Sequence, residues 1–231
     1  MFRWAGIAGV SGVVMGILSL ALGIFAPPLF VAAQFGNSCG APCFVDASLL
    51  GFPGVKAWIL VENIFYFAAL ILFVIFFSGL QKALRSDNAL APSTFGKNLA
   101  MIGLAMEFVG ALPAVAFAHL SEVYQVSSPS DQAILVLASH AVQSIFNATD
   151  TVGGFLLSIG FLLFGVAMIQ TSAVFGRKFG IPTIVLSLVA IAGISVVSIV
   201  MDNPNDFFFI ILILVLPLML GLNLYRLSKR G

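Results

Sequence analysis

The sequence predicts an all-α, polytopic integral membrane protein with six transmembrane helices. Of its 231 residues, 61% are hydrophobic and only 8% are charged, whereas about 25% of the residues in ordinary soluble domains are charged. Six apolar segments reach the roughly 20 residues that a helix needs to cross a bilayer. Lys and Arg gather at one end of these segments, as they do in short cytoplasmic loops. We therefore expect a single transmembrane domain over 1–231.

The predicted spans follow one another with short connections. They cover about 5–33, 56–81, 98–118, 151–172, 181–201 and 207–226. The first apolar run exceeds the roughly 7–15-residue core of a signal peptide, so we expect it to be retained as a span. Pro27 and Pro28 should kink or end that helix. Pro182 suits the first turn of the fifth span, and Pro217 falls inside the sixth.

The basic residues predict the orientation. Nine of the ten Lys and Arg residues would share one side of the membrane, and only Lys56 would lie opposite. The nine are Arg3, Lys82, Arg85, Lys97, Arg177, Lys178, Arg226, Lys229 and Arg230. Because short basic loops stay cytoplasmic, we predict a multi-pass protein of the cell membrane with both termini in the cytoplasm.

The region between the third and fourth spans allows two arrangements. Residues 120–131 are polar and predict an exposed loop, and 132–149 then predict an amphipathic helix, because polar side chains recur at the spacing of one helix face. These are Ser139, His140, Gln143, Ser144 and Asn147. The helix would either lie on the outer surface or extend the fourth span outward. We favour a separate outer helix that joins the fourth span through a bend at 150–154.

Glu62 and Glu107 are the only carboxylates inside the predicted spans. A charge at the bilayer centre costs roughly 2.5–3.5 kcal/mol on insertion scales, so such a group faces the protein interior and pairs or stays protonated. Glu107, near the middle of its span, is the stronger candidate for a proton or cation relay or for the polar floor of a ligand site. Glu62 is shallower and lies beside Asn63, which favours a structural role there.

His119 and His140 are the only histidines. With Glu62 and Glu107 they form a candidate metal set near the outer leaflet, as an intramembrane metalloenzyme would need. None of the close ligand spacings of known metal motifs is present. We therefore expect no metal and no cofactor.

Cys39 and Cys43 lie in the first outer loop with C-x-x-x-C spacing. Thiols outside the cytoplasm tend to be oxidised, so a small structural disulfide is the first interpretation. A redox pair is the alternative, although its usual spacing is C-x-x-C.

Residues 153–194, GGFLLSIGFLLFGVAMIQTSAVFGRKFGIPTIVLSLVAIAGI, contain a glycine-punctuated helix, a short basic loop and a second helix that opens near Pro182. This segment resembles the prokaryotic six-span membrane protein family called domain of unknown function 4386. The resemblance implies a six-span fold and no particular activity.

The sequence favours a membrane protein that is not an enzyme. It would bind a lipid, a small apolar ligand or another membrane protein from the outer side, with Glu107, His140, Gln143 and Asn147 supplying polar contacts. A proton- or ion-coupled transporter using Glu107 is the main alternative. Expected partners are membrane lipids and a membrane protein or second copy, for which the Gly12-x-x-x-Gly16 pair permits close helix packing. No basic tract of the kind that binds nucleic acid is present.

Overall fold

The computed structural model describes residues 2–24, 41–86, 88–171, 175–200 and 210–229. Within these ranges all regular structure is helical. The helices are α1 (Phe2–Ile24), α2 (Ala41–Ala83), α3 (Leu90–Ala111), α4 (Pro113–Val126), α5 (Pro129–Gln170), α6 (Gly176–Val200) and α7 (Leu216–Leu227), with a π-helical turn at Ile211–Val215 leading into α7.

The helices have the length and composition of a helical membrane protein. Five stretches in the described part of the chain are long and apolar enough to cross a membrane, and Ile211–Leu227 is a shorter apolar one. These six stretches correspond in order to the six predicted spans. The predicted ends 25–33 and 207–209 lie outside the described residues.

Neighbouring helices run antiparallel and touch where one of them carries glycine. Ala5 of α1 contacts Gly79 of α2, and a Cβ added to Gly12 would lie 2.7 Å from the Phe73 ring. The backbones of α3 and α5 meet at Gly96 and Gly160. Side chains at these positions would force the helices apart, so glycine sets how closely they pack.

A cluster of phenylalanines holds α2 against α5. Phe73, Phe77, Phe161 and Phe164 are almost fully buried. The rings of Phe77 and Phe164 stack with 5.9 Å between centroids, and Phe77 meets Phe161 edge-on at 5.1 Å. Aromatic pairs in these geometries add about 0.5–1.5 kcal/mol beyond their buried area.

The antiparallel pairing collects the basic residues at one end of the bundle, here called the basic end. Arg3 lies where α1 contacts the end of α2 that carries Lys82, and Gly6 contacts Tyr225 of α7. The Lys229 ammonium lies 4.9 Å from the centre of the Tyr225 ring. The described basic residues other than Lys56 share this end, as the sequence predicts. The opposite end is called the distal end.

Two exposed tryptophans are separated along the bundle by about the thickness of the hydrocarbon core of a bilayer. Trp4 is at the basic end and Trp58 is toward the distal end of α2. Because Ala5 contacts Gly79, Trp4 is level with about residue 80 of α2. The 22-residue separation along the helix corresponds to about 33 Å, close to the roughly 30 Å hydrocarbon core. Tryptophan favours the two membrane interfaces, so the spacing fits a bilayer between these levels.

Three helices continue past Trp58 and form a distal cap, made of 41–55, 113–126 and 129–144. Leu49, Phe117 and Ala118 are buried there, with Tyr124 and Val136 packed against them. The prediction of a loop at 120–131 is wrong, because α4 is helical to Val126 and α5 begins at Pro129. A polar composition does not distinguish a loop from a helix, because a helix that does not contact lipid is polar as well.

The prediction of a bend at 150–154 also differs from the structure. Residues 132–149 belong to the same uninterrupted helix as the fourth span, α5, which has 42 residues. Of the two arrangements considered, the structure has the one in which the fourth span is extended.

The observed positions of the prolines within the helices agree with the predicted ones only in part. Pro113 separates α3 from α4 at Leu112. Helix α6 begins at Gly176, so Pro182 is inside it and not in its first turn. Pro217 follows a π-helical turn, where the Leu216 N–H donates to the Ile211 carbonyl. It therefore lies in the first turn of α7, where a missing N–H costs little.

Candidate functional site

Glu107 is buried between three helices. It projects from α3 and is 2% exposed. Its Oε2 accepts a 2.9 Å hydrogen bond from the Tyr66 hydroxyl of α2. Tyr66 is eight residues from Trp58, so Glu107 lies about 12 Å below the distal tryptophan level. The Glu107 side chain thus faces the protein interior.

Asp150 brings α5 to the same carboxyl. It is half-buried and interacts electrostatically with Glu107. Glu107 Oε1 is buried and accepts no hydrogen bond of regular geometry from the part of the chain that is described. Two carboxyls in contact repel when both are ionised, whereas a shared proton turns the contact into a hydrogen bond.

Gly153 provides the space for the Glu107 side chain. A Cβ at Gly153 would collide with Glu107 Oε1. One turn toward the distal end, a Cβ at Gly110 would lie 2.9 Å from the Thr149 hydroxyl oxygen. These glycines let α3 and α5 approach closely enough for Glu107 and Asp150 to interact.

Glu62 lies one helical turn from Tyr66 on the same face of α2. Its Oε1 would be 3.1 Å from a Cβ at Gly23, so Glu62 faces α1. The Asn63 side chain donates to the Ile59 carbonyl within α2 at 2.8 Å. Glu62 thus lies near Tyr66, whereas the Asn63 side chain is hydrogen-bonded within its own helix.

Four of the five polar residues predicted for one face of the distal part of α5, here called the polar stripe, are turned toward the protein, whereas Ser144 is exposed. Ser139 is buried, and His140, Gln143 and Asn147 are half-buried. Gln143 donates to the Asn147 side-chain oxygen at 2.9 Å. This pairing stays within α5, so the structure does not assemble the stripe with Glu107 into one site.

His119 is exposed on α4. Nearby, Lys56 of α2 forms an ion pair with Glu122, and both side chains are about half exposed. The pair ties α2 to α4 just beyond the Trp58 level. Lys56, which the sequence places opposite all the other basic residues, thus has a partner there.

No group of three or more His, Cys, Asp or Glu residues that could hold a metal ion is found in the described ranges. The predicted set of Glu62, Glu107, His119 and His140 does not form such a group. Cys39 and the side chain of Cys43 lie outside the described residues, so their disulfide stays a prediction.

The residues that complete the Glu107 site were not among the predicted ones. The sequence pattern does not single out Tyr66 or Asp150. Gly153 begins the glycine-punctuated segment 153–194, but the sequence does not identify Glu107 as its neighbour. The available signal was the Glu62-x-x-x-Tyr66 spacing on α2, which puts two polar groups on one face of a span.

No family model, curated protein or solved structure matches this chain. The resemblance of residues 153–194 to domain of unknown function 4386 stays a prediction. What the site does has to follow from its own geometry.

Proposed function

We propose that this chain is a proton-coupled membrane protein whose protonatable site is Glu107 together with Asp150. The observation that carries the proposal is the position of Glu107, buried within a span and contacted by side chains from α2 and α5. Ionisable groups at such depth mark proton and ion pathways in membrane proteins. Transfer of protons through this site is the activity that this arrangement supports best.

Protonation would change how three helices are held together. Tyr66 donates to Glu107 from one side, and Asp150 interacts with it from another. With a proton shared between the carboxyls, α3 and α5 attract each other at this point. Without it the two carboxylates repel, and the contact opens. A local charge change that biases helix packing is a common switch.

The site would be reached from outside the cell. In the proposed orientation the basic end is cytoplasmic, and the distal end faces outward. Asp150 and Glu62 are half-buried, whereas Glu107 is buried. Protons would therefore pass between the outer aqueous phase and Glu107 through these flanking carboxyls.

The test uses the purified protein in liposomes that enclose a pH-sensitive dye. After a pH jump outside, wild type is expected to give a transient charge movement and a dye response, because the proton itself is the probe. Glu107→Gln keeps the size of the side chain and removes the exchangeable proton. We expect it to abolish both signals.

Glu122→Gln is the matched control, since it makes the same chemical change at an exposed carboxyl. We expect it to respond like wild type. A Glu107→Gln protein that folds, as judged by helical content and monodispersity, and still gives the wild-type response would overturn the proposal.

Binding of a lipid, an apolar ligand or a protein partner at the distal side is the second candidate. It is favoured by the exposed apolar side chains of the distal cap, such as Leu137, which is 71% exposed. Mass spectrometry of the gently purified protein should then show a co-purifying lipid or chain. A preparation free of both would remove this candidate.

A further inference from the structure

The distal part of α5 carries an exposed face without any charge. Ile134 is 66% exposed, Leu137 71% and Ile145 54%. The whole face, here called the α5 seam, consists of Ile134, Leu137, Ala141, Ser144, Ile145, Ala148 and Val152, all of which are exposed. It lies opposite the half-buried polar stripe of the same helix. This helix therefore turns its polar side toward its own bundle and its apolar side away from it.

The spacing of the seam is that of a helix-pairing surface. Ile134, Ala141 and Ala148 are seven residues apart, and Leu137 and Ser144 repeat with the same period. A seven-residue apolar repeat keeps one face of a helix against a partner helix in a left-handed coiled coil. Alanine at two of the central positions allows the two backbones to approach closely. The seam thus has the spacing that a second helix would need.

Half of the seam lies beyond the distal tryptophan level. Gly153 contacts Glu107, which Tyr66 also contacts, so these residues are level along the bundle. Because Trp58 is eight residues from Tyr66, the distal tryptophan level falls near Ile145 of α5. Leu137 and Ile134 then extend about 12 and 16 Å beyond it. With the bilayer boundary at that level, these apolar side chains would be exposed to water, as they are at interaction sites of proteins.

We propose that a second copy of this chain packs on the α5 seam, forming a two-fold symmetric dimer. Copies inserted in one membrane share an orientation, so a two-fold axis along the membrane normal pairs the two α5 helices in parallel. Such an axis brings each seam residue next to its own counterpart. An uncharged seam can meet itself without like-charge repulsion, whereas a charged face would need a complementary partner.

This proposal is independent of the proton site, although the two share α5. Asp150 lies between Ala148 and Val152 of the seam but on another side of the helix, where it interacts with Glu107. The dimer can therefore form in Glu107→Gln, and proton exchange can persist in a monomer. Failure of either proposal is recognisable without the other.

The test is disulfide cross-linking in native membranes, in a chain with Cys39→Ser and Cys43→Ser. Leu137→Cys and Ala141→Cys place a thiol on the seam, and we expect each to give a cross-linked dimer of twice the chain mass. His140→Cys, on the half-buried face of the same helix, and Val61→Cys, exposed on α2, are controls. We expect at least a tenfold lower dimer yield from them.

A charge on the seam gives a second readout. Leu137→Lys should convert the dimer to a monomer in nanodiscs, as measured by mass photometry, because two ammonium groups would face each other. Val126→Lys introduces the same charge at an apolar cap residue off the seam, which is 86% exposed, and should remain dimeric.

Three results would overturn the proposal. One is equal cross-linking at seam and control positions, which indicates random collision. Another is a wild-type monomer in both membranes and nanodiscs, which means that lipid covers the face. The third is a cross-linked product of a different mass, which identifies another protein as the occupant.

Discussion

At the basic end, α2 meets α5 through the rings of Phe77, Phe161 and Phe164. Toward the distal end the same two helices are joined across α3 through Tyr66, Glu107 and Asp150. The aromatic contacts are apolar and do not depend on pH, whereas the polar contacts depend on the protonation of the carboxyls. The same two helices thus have apolar contacts at one end and ionisable groups between them toward the other.

The largest expected effect breaks the aromatic contact. Phe77→Ala removes a fully buried ring that packs between two others, and large-to-small changes of this kind cost about 3–5 kcal/mol. Thermal unfolding in detergent should show a correspondingly lower midpoint. Phe108→Ala, at a ring that is 42% exposed, is the control and should have a much smaller effect. Equal losses would mean that the two ends do not differ in this way.

Glycine substitutions distinguish rigid from adaptable contacts. In Gly96→Ala the new Cβ would lie 2.9 Å from the Gly160 carbonyl oxygen, which is backbone and cannot yield, so we expect a loss of about 1–3 kcal/mol. In Gly153→Ala the Cβ meets the Glu107 carboxyl, a side chain that can rotate away. We expect a smaller loss of stability there and a reduced proton response, measured in the dye-loaded liposomes. The reverse ranking of stabilities would contradict the comparison.

Tyr66→Phe removes the hydrogen bond that the Tyr66 hydroxyl donates to Glu107. The expected cost is about 1 kcal/mol, the typical net value of one such bond. The carboxyls remain, so proton exchange should persist with altered kinetics, measured as the decay of the charge movement. A response as fully abolished as that of Glu107→Gln would show that Tyr66 carries the proton and does not only position the carboxyl.

The smallest effect is expected at the edge of the distal cap. Lys56→Met breaks the ion pair with Glu122, in which both side chains are about half exposed, and exposed pairs contribute little. Thermal stability should hardly change, and any change should disappear at high salt. A large, salt-independent loss would mean that this pair, and not the cap core around Leu49 and Phe117, holds the cap on the spans.

The sequence was informative where one physical constraint dominates. Chain insertion requires apolar runs and places basic residues on one side, so the helical spans and the basic end could be predicted. The insertion cost of a carboxylate identified Glu107 as an interior group. The residues that contact Glu107 could not be predicted in this way. Tyr66 and Asp150 reach it only because α2 and α5 pack against α3 in one particular register. Glycine contacts between helices set that register.

Outside the apolar spans the constraint imposed by membrane insertion does not act. The predicted loop at 120–131 and the predicted bend at 150–154 are both wrong. Residues 120–131 have the composition of a loop, yet α4 and α5 fill most of the segment. The spacing of the polar residues on 132–149 predicted a helix, and the segment is helical. The spacing could not show which face is turned to the bundle, because an apolar face suits lipid, a protein core and a second chain equally.

Helix α5 has 42 residues without a break, a rod of about 63 Å. Its basic-end half is clamped by the phenylalanine cluster, and its distal half projects beyond the tryptophan level. Because the rod is packed at Phe161 and Phe164, a tilt of its distal half would pivot near these two residues. The same tilt would shift Asp150 and Gly153 against Glu107, without any part of the helix having to unfold.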